Sequence, residues 1–446
     1  MANFNNHPTV KWWREQSTST QPTRIATLNS DSLRSLCLEA GVDDVGFVEI
    51  DRPAIADQRS EIMTAFPPTK TLISFVCRMN RENIRTPVRS ATNVEFHANY
   101  DYANEVARSI VKTLEQTGVR AMVPGASFPM EMDRFPGKVW VVSHKPVAVA
   151  AGLGHMGIHR LVIHPKFGNF ISLGTILIDT EVTEYTHPID YNPCLECKLC
   201  VAACPVGAIG ADGHFNFSAC YTHNYREFMS GFTDWAETIA ESKSAYDYRQ
   251  KVSDSESASM WQSLSFKANY KAAYCMAACP AGEDVIAPFL SDRKAFVQEV
   301  VKPLQDKPET IYVVPGSDAE MYVARRFPHK TVKRVSSGIR PKSIQGFLFG
   351  LPLLFQRDQS EGLNAVYHFT FIGSESRRAT VTIQNKTVQV QEGHIGNATL
   401  SVTADSKTWL GFLAKEQNLI LALLRRKIRI QGSPKLLQAF GKCFPA

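Results

Sequence analysis

Residues 194–205, C-L-E-C-K-L-C-V-A-A-C-P, constrain this chain more than any other stretch. The four cysteines stand three, three and four residues apart, and a proline follows the last. Turns this short let Cys194, Cys197 and Cys200 converge on neighbouring irons of one [4Fe–4S] cube, and in a run of this kind the fourth thiol serves a second cluster. Pro205 ends the wrap and carries Cys204 away from its neighbours. Zinc knuckles favour paired C-x2-C units instead. A second cluster needs a second set of thiols, and Cys275-M-A-A-Cys279-Pro280 repeats the end of the motif downstream of an isolated Cys220. Crossed ligation then gives Cys194, Cys197, Cys200 and Cys279 to cluster one and leaves Cys204, Cys220 and Cys275 for cluster two. Three residues before Cys275, where a fourth thiol is expected, stands Ala272. Cluster two is therefore expected to be [3Fe–4S], to have an exchangeable iron, or to take an oxygen or nitrogen ligand such as His223. An ordinary buried thiol is the other reading of Cys220.

The remaining cysteines, Cys37, Cys77 and Cys443, are isolated and read as structural. With 446 residues, 44% hydrophobic and 21% charged, the chain has the composition of a soluble globular protein of two or three domains. No apolar run is long enough to span a bilayer, no basic-then-apolar leader opens the sequence, and thiolates of this kind suit a reducing cytoplasm. The net charge of +6 is uneven: after Glu416 there is no acid, while Arg425, Arg426, Lys427, Arg429, Lys435 and Lys442 are basic. This is either a solvated helix face or a face for acidic lipid. Nucleic acid is disfavoured, because no aromatic residues interleave the charges.

Residues 1–30 are polar and expected to be poorly ordered. Ser30-Asp31 caps a helix that Gly41 ends, V-G-F-V-E-I follows as a strand, and residues 71–77 form an apolar run typical of a buried strand. A helix over 99–116 and a strand over 139–142 complete an α/β domain over 31–185. Within it, residues 151–179 read A-G-L-G-H-M-G-I-H-R-L-V-I-H-P-K-F-G-N-F-I-S-L-G-T-I-L-I-D. Closely spaced glycines let backbone approach either a flat ligand or another chain segment. A hairpin with its turn near Pro165 and Gly168 should follow. Gly152, Gly154 and Gly157 also spell G-x-G-x-x-G, but neither a leading strand nor an acid about 20 residues on supports a dinucleotide loop.

The order of these parts resembles the epoxyqueuosine reductase and reductive dehalogenase families over about residues 31–290. There an A-G-L-G-x-x-G segment and an L-x-I-x-P-x-F-G segment precede a double-cluster module. Gly152, Leu153, Gly154, Gly157, Pro165, Gly168, Leu173, Gly174 and Asp179 match best, and Tyr100-Asp101-Tyr102 looks like a stretch that opens a helix in the queuosine enzymes. The resemblance implies a nitroreductase-like α/β core that holds cobalamin, with Gly152, Leu153, Gly154, Gly157, Pro165 and Gly168 at the cofactor. It also implies reduction of that cofactor through the two clusters by a ferredoxin or flavodoxin. One departure concerns the proton donor. Where the queuosine enzymes place an Asp ahead of a Pro, this chain reads V-S-H-K-P over 142–146. His144, Tyr102 and Glu131 are the substitutes. His155, His159 and His164 invite a metal reading, but they make no H-E-x-x-H or facial-triad pattern, and packing around a cofactor explains them better.

The double-cluster module spans 186–300, with a polar, partly helical insertion over 221–270. Residues 301–346 turn basic and read as a linker. Alternating strands over 365–370, 379–384 and 387–391, then helices, make the last hundred residues an α+β domain. Over 347–446 they resemble the sterol carrier protein type 2 domain, on G-L-N-A-V-Y-H-F, D-S-K-T-W-L-G-F-L and K-I-R-I-Q-G-S-P-K-L-L. That resemblance implies an apolar tunnel for a lipid or fatty acyl group, for which Trp409, Phe412, Leu413, Ile420, Leu423 and Leu424 are candidate linings. The expectation is an iron–sulfur reductase acting on an apolar organic substrate. The rival is a ferredoxin-type electron carrier with a lipid-binding or scaffolding domain.

Overall fold

The computed structural model describes residues 4–16, 26–125 and 129–445. An antiparallel sheet anchors the first domain, in the order Asp44–Glu49, Thr71–Arg78, Ile171–Ile178 and Ala121–Met122. Both faces of its central strand are buried, which is why Thr71–Arg78 reads as a continuous apolar run rather than an alternating one. One face packs on the helix Arg89–Gln116 through Ala103, Val106, Ile110 and Leu114. The other packs on Ile55, Ile62 and the helix His144–Ala150.

Several local expectations shift. Asn29, not Ser30, caps the helix Ser30–Ala40, accepting from the Ser32 N–H at 2.9 Å, and Gly41 ends it at φ 112°. The long helix begins at Arg89, ten residues before the expected start, because Val88 enters it with no side-chain cap to mark the boundary. Residues 139–142 bury Val139 and Val142 but form no strand. Of the expected N-terminal tail, 1–3 and 17–25 lie outside the described residues. Pro8–Gln16 is helical, and Thr27–Leu28 pairs in parallel with Glu181–Val182.

The segment 301–346 is no linker. Thr310–Val313 and Thr331–Arg334 pair in parallel around the helix Asp318–Arg326, and Ile311, Val313, Val323 and Phe327 share one core with Cys200, Cys204 and Ile209. Several of its cations are spent on acids: Lys330 on Glu309 at 2.6 Å, Lys333 on Glu256 at 2.8 Å and Arg340 on Asp234 at 2.8 Å.

The C-terminal domain is a five-stranded sheet in the order Thr387–Glu392, Arg377–Gln384, Ala365–Ile372, Leu400–Asp405, Ile428–Gly432. Inward residues Tyr367, Phe369 and Phe371 alternate along one strand and meet Phe347, Trp409 and Phe440 from the covering helices. Trp409 belongs to this aromatic core, whereas Ile420 and Leu424, read as tunnel lining, are 66% and 74% exposed. The domain meets the cluster module at Gln356, whose side-chain oxygen accepts from the Asp318 N–H at 3.0 Å and from the Asn216 amide at 3.4 Å.

Candidate iron–sulfur centres

The wrap that begins at Cys194 is tight enough to force two non-glycine residues into left-handed backbone, Glu196 at φ 48° and Lys198 at φ 62°. Such positions cost on the order of 1 kcal/mol each and cluster at functional sites. Alternating backbone hands also turn successive N–H groups into the concave nests that hold anionic clusters. Cys194, Cys197, Cys200 and Cys279 line one pocket, part of it open to solvent, together with Ile158 and His159. Burial pushes the Cys200 and Cys279 thiols up to about 12, and the neighbouring thiols push the same way. Sulfurs so placed become thiolates only against positive charge, which the irons of a cluster supply, so this donor set fits a four-thiolate cube. Among the described residues no three His, Cys, Asp or Glu groups converge closely enough to hold a single metal ion.

The other three thiols form a separate group. Cys204 leaves the helix Leu199–Ala203 in extended backbone, and its Sγ accepts from the Ala208 N–H at 3.3 Å. Cys220 rides on the helix Phe217–Asn224, capped by the Asn216 side chain, and Cys275 on the short helix Tyr274–Ala277. Burial pushes the thiols of both Cys220 and Cys275 up, Cys220 pushes Cys275 the same way, and Cys204 adds to both. Cys275 also bears on Cys200, so the two groups adjoin. At the fourth position the backbone is tied down: the Asn224 side chain accepts from the Ala272 N–H at 2.8 Å. His223 has one nitrogen to spare. Its Nδ1 accepts from the Tyr312 N–H at 3.3 Å, while Nε2 is buried with no partner among the described residues. Burial, then Lys271, Lys330, Arg89 and Lys307, holds it neutral with its pKa at about 3, the form in which an imidazole can ligate.

The glycine-rich hairpin turns out to be the wall of cluster one. His155–Met156 pairs with Val162–Ile163, and a second turn closes where His164 bridges Gly168. A Cβ on Gly154 would meet the Ile163 carbonyl oxygen at 2.4 Å, and one on Gly168 the Ala281 oxygen at 2.1 Å. Gly152 abuts His187, Gly157 the His159 ring, and the Pro165 carbonyl accepts from the Glu283 N–H. Leu153 is buried in the domain core. Chain meets chain on the Cβ side of each of these glycines, so close packing accounts for them without a corrin. Of the nearby histidines, His159 lines the cluster-one cavity, held neutral with its pKa at about 4 by burial and Lys145. His164 bonds Asp44 at 3.1 Å, and His155 turns to the Met156 carbonyl at 3.2 Å.

The three proton-donor candidates stand apart from each other. His144 Nε2 donates to the Gly125 carbonyl at 2.9 Å, which leaves Nδ1 to accept from the Thr175 hydroxyl at 2.8 Å. Burial lowers its pKa, so the ring is neutral with both nitrogens engaged. The Tyr102 hydroxyl donates to the Gly41 carbonyl at 2.8 Å, and Glu131 is exposed beside a short turn.

Two residues that the sequence left unmarked stand closer to the sulfurs. Lys145 keeps solvent access, donates to the Arg160 carbonyl at 2.9 Å and bears on both Cys220 and Cys275. Arg85 is held between Phe170 and Phe296, 5.4 and 5.2 Å from their ring centres. Its Nε and Nη2 are buried without an acceptor among the described residues, and Cys279 is among the charges that bear on it. The lysine stands directly after the histidine singled out in V-S-H-K-P, and the arginine ends a five-residue helix that carries no pattern.

Residues 187–210 match the 4Fe-4S binding domain, and residues 354–445 match the SCP-2 sterol transfer family. Curated relatives are epoxyqueuosine reductases. That of Lactococcus garvieae is 34% identical over 77 residues, 17% of this chain and 21% of that protein. That of Staphylococcus aureus is 36% identical over 80 residues, 18% and 20% of the two chains. That of Francisella cf. novicida is 26% identical over 133 residues, 28% and 35%. These matches span a fifth to a third of the relatives' own length. Among solved structures, epoxyqueuosine reductase from Streptococcus thermophilus is 17% identical with a TM-score of 0.32, covering 61% of this chain and 75% of that one. A catabolic reductive dehalogenase is 16% identical with a TM-score of 0.36, covering 61% and 34%. The chain is thus a fusion: a 4Fe-4S module similar to that of the epoxyqueuosine reductases, joined to a C-terminal domain of the SCP-2 sterol transfer type.

Proposed function

We propose that this protein is an iron–sulfur reductase in which electrons enter at cluster one, pass to cluster two and leave to a bound acceptor. The observation that carries this reading is the division of seven cysteines into an open-sided group of four and an adjoining group of three. When bound, the clusters supply one-electron steps at low potential. The chain's own residues set their surroundings. Ile158 and His159 shield one side of cluster one, and the ammonium of Lys145 favours added negative charge on cluster two. A ferredoxin or flavodoxin in the cytoplasm is the donor that suits the exposed side of cluster one, and the C-terminal domain is the part suited to an apolar substrate.

A corrinoid acceptor belongs to this reading, but the hairpin glycines do not by themselves call for one. The rival, an electron carrier with no chemistry of its own, is favoured by one observation: those glycines are all spent on packing the chain against itself. Anaerobic purification followed by iron and cobalt analysis and titration with cobalamin separates the two. About seven or eight irons are expected. Retained cobalt with a visible-spectrum change supports the reductase with a corrinoid. Full iron with no cobalt uptake leaves the carrier or a different acceptor, and iron far below seven overturns the two-cluster reading itself.

A further inference from the structure

The short helix Leu419–Leu424, L-I-L-A-L-L, is apolar all round, yet only one side of it is covered. Ala422 is buried, and Leu419 and Leu423 pack on the domain core. Ile420, Leu421 and Leu424 point away and are 66%, 50% and 74% exposed. The helix is held in this pose at both ends. The Asn418 side chain accepts from the Ile420 N–H at 2.8 Å, and Arg426 stops the helix in left-handed backbone at φ 55°.

Beyond this helix the chain carries charge of one sign. Arg425, Arg426 and Lys427 are exposed, and Arg429, Lys435 and Lys442 come after them with no acid beyond Glu416. Lys427 faces Asp405, whereas Arg425, Arg426, Arg429, Lys435 and Lys442 enter no salt bridge among the described residues. The basic run over 330–340 behaves differently, since Lys330, Lys333, Arg334 and Arg340 are neutralised by Glu309, Glu256, Glu320 and Asp234. A second exposed apolar group, Trp261, Leu264 and Phe266, lacks such a flank. Its helix opens with Asp254 and Glu256, and the one adjacent cation, Lys267, is paired to Asp101.

Exposed aliphatic side chains followed directly by unpaired guanidinium groups complement a surface that is apolar below and anionic above. We propose that this tip docks the C-terminal domain on a bilayer rich in anionic lipid. Ile420, Leu421 and Leu424 enter the boundary between headgroups and acyl chains, and Arg425 and Arg426 meet the lipid phosphates. The inference rests on the exposed tip alone and stands whether or not the cluster chemistry is as proposed.

Sedimentation of the full-length holoprotein with vesicles tests it. Vesicles of roughly equal parts phosphatidylcholine and phosphatidylglycerol should carry the protein down at low salt, and added salt should release it. Phosphatidylcholine alone should leave it in the supernatant. Arg425→Gln with Arg426→Gln should weaken binding roughly 25-fold, about fivefold per charge. Ile420→Ser with Leu424→Ser should weaken it at least about tenfold. Trp261→Ser, a control on the other exposed patch, should bind as the parent does. All these side chains are exposed, so thermal melting of each variant should match the parent. Failure to bind anionic vesicles overturns the proposal, as does equal binding by either double variant. Equal binding to neutral vesicles, or retention on RNA without retention on vesicles, overturns it too.

Discussion

The two thiol groups differ in completeness and in surroundings. Cluster one has four cysteines, and its loop presents exposed Leu195 and Glu196 to solvent. Cluster two has three, set inside the module with Tyr225 and Lys145 facing them. A complete outer centre beside an incomplete inner one suits a wire whose outer end exchanges electrons with a partner and whose inner end has an open coordination position. The same difference separates the lysine and the arginine: Lys145 bears on the inner group and Arg85 on the outer one.

The largest expected effect comes from removing an outer ligand. Cys197→Ser should lose about four irons per chain, whereas Cys220→Ser should remove only the inner cluster; iron analysis with electron paramagnetic resonance reads both. If Cys220→Ser costs no iron, that thiol is an ordinary core residue and the inner group has only two members.

Ala272→Cys probes the gap directly. It should add about one iron and abolish a three-iron resonance seen after mild oxidation, while His223→Ala tests whether the unpartnered imidazole nitrogen holds the fourth iron instead. An unchanged spectrum in the first variant would reverse the ligand assignment, and a changed one in the second would give the fourth place to His223.

A third variant tests what holds the inner group in place. Glu227 is buried between Arg89 at 2.8 Å and Lys271 at 2.5 Å, joining the start of the long helix to the Cys275 segment. Burial raises its carboxyl, but Lys271 and Arg89 outweigh that and hold it below its usual range. A carboxylate lowered in the fold stabilises it above the ordinary glutamate value of about 4.3, and that contribution fades as pH falls through the lowered value. Glu227→Gln leaves two cations without their partner and should cost about 3 kcal/mol in chemical denaturation at neutral pH, with a smaller deficit in acid.

The smallest effect is on potential. Arg85→Met keeps the bulk between Phe170 and Phe296 but removes a buried positive charge near Cys279. The midpoint of cluster one should fall and that of cluster two should move less; equal shifts would mean that the arginine acts on the module as a whole.

The cysteine spacing, Gly41, the buried strand Thr71–Arg78 and the strands of the C-terminal domain were legible because each carries a local signal. What escaped depends on distant partners. The parallel pair Thr310–Val313 and Thr331–Arg334 is too short for periodicity to reveal, and its lysines and arginines read as a basic run because their acids lie elsewhere in the chain. The hairpin glycines were legible as places of close approach, but sequence does not say what approaches. Here it is the backbone at Ile163 and Ala281. Arg85 and Lys145 take their meaning from sulfurs far along the chain.

The contact between Gly168 and Ala281 has a consequence for inheritance. An ordinary ferredoxin can be moved between hosts because its own loops enclose its cofactors. Here Ile158 and His159, from the first domain, close the outer pocket, and Gly168 is clamped to the turn that follows Cys279. Transplanting residues 187–290 alone would leave a naked sulfur site, so the first domain and the electron relay must travel as a single heritable unit. The C-terminal domain, with its own aromatic interior and a seam at Gln356 and Arg357, is the piece that recombination could exchange.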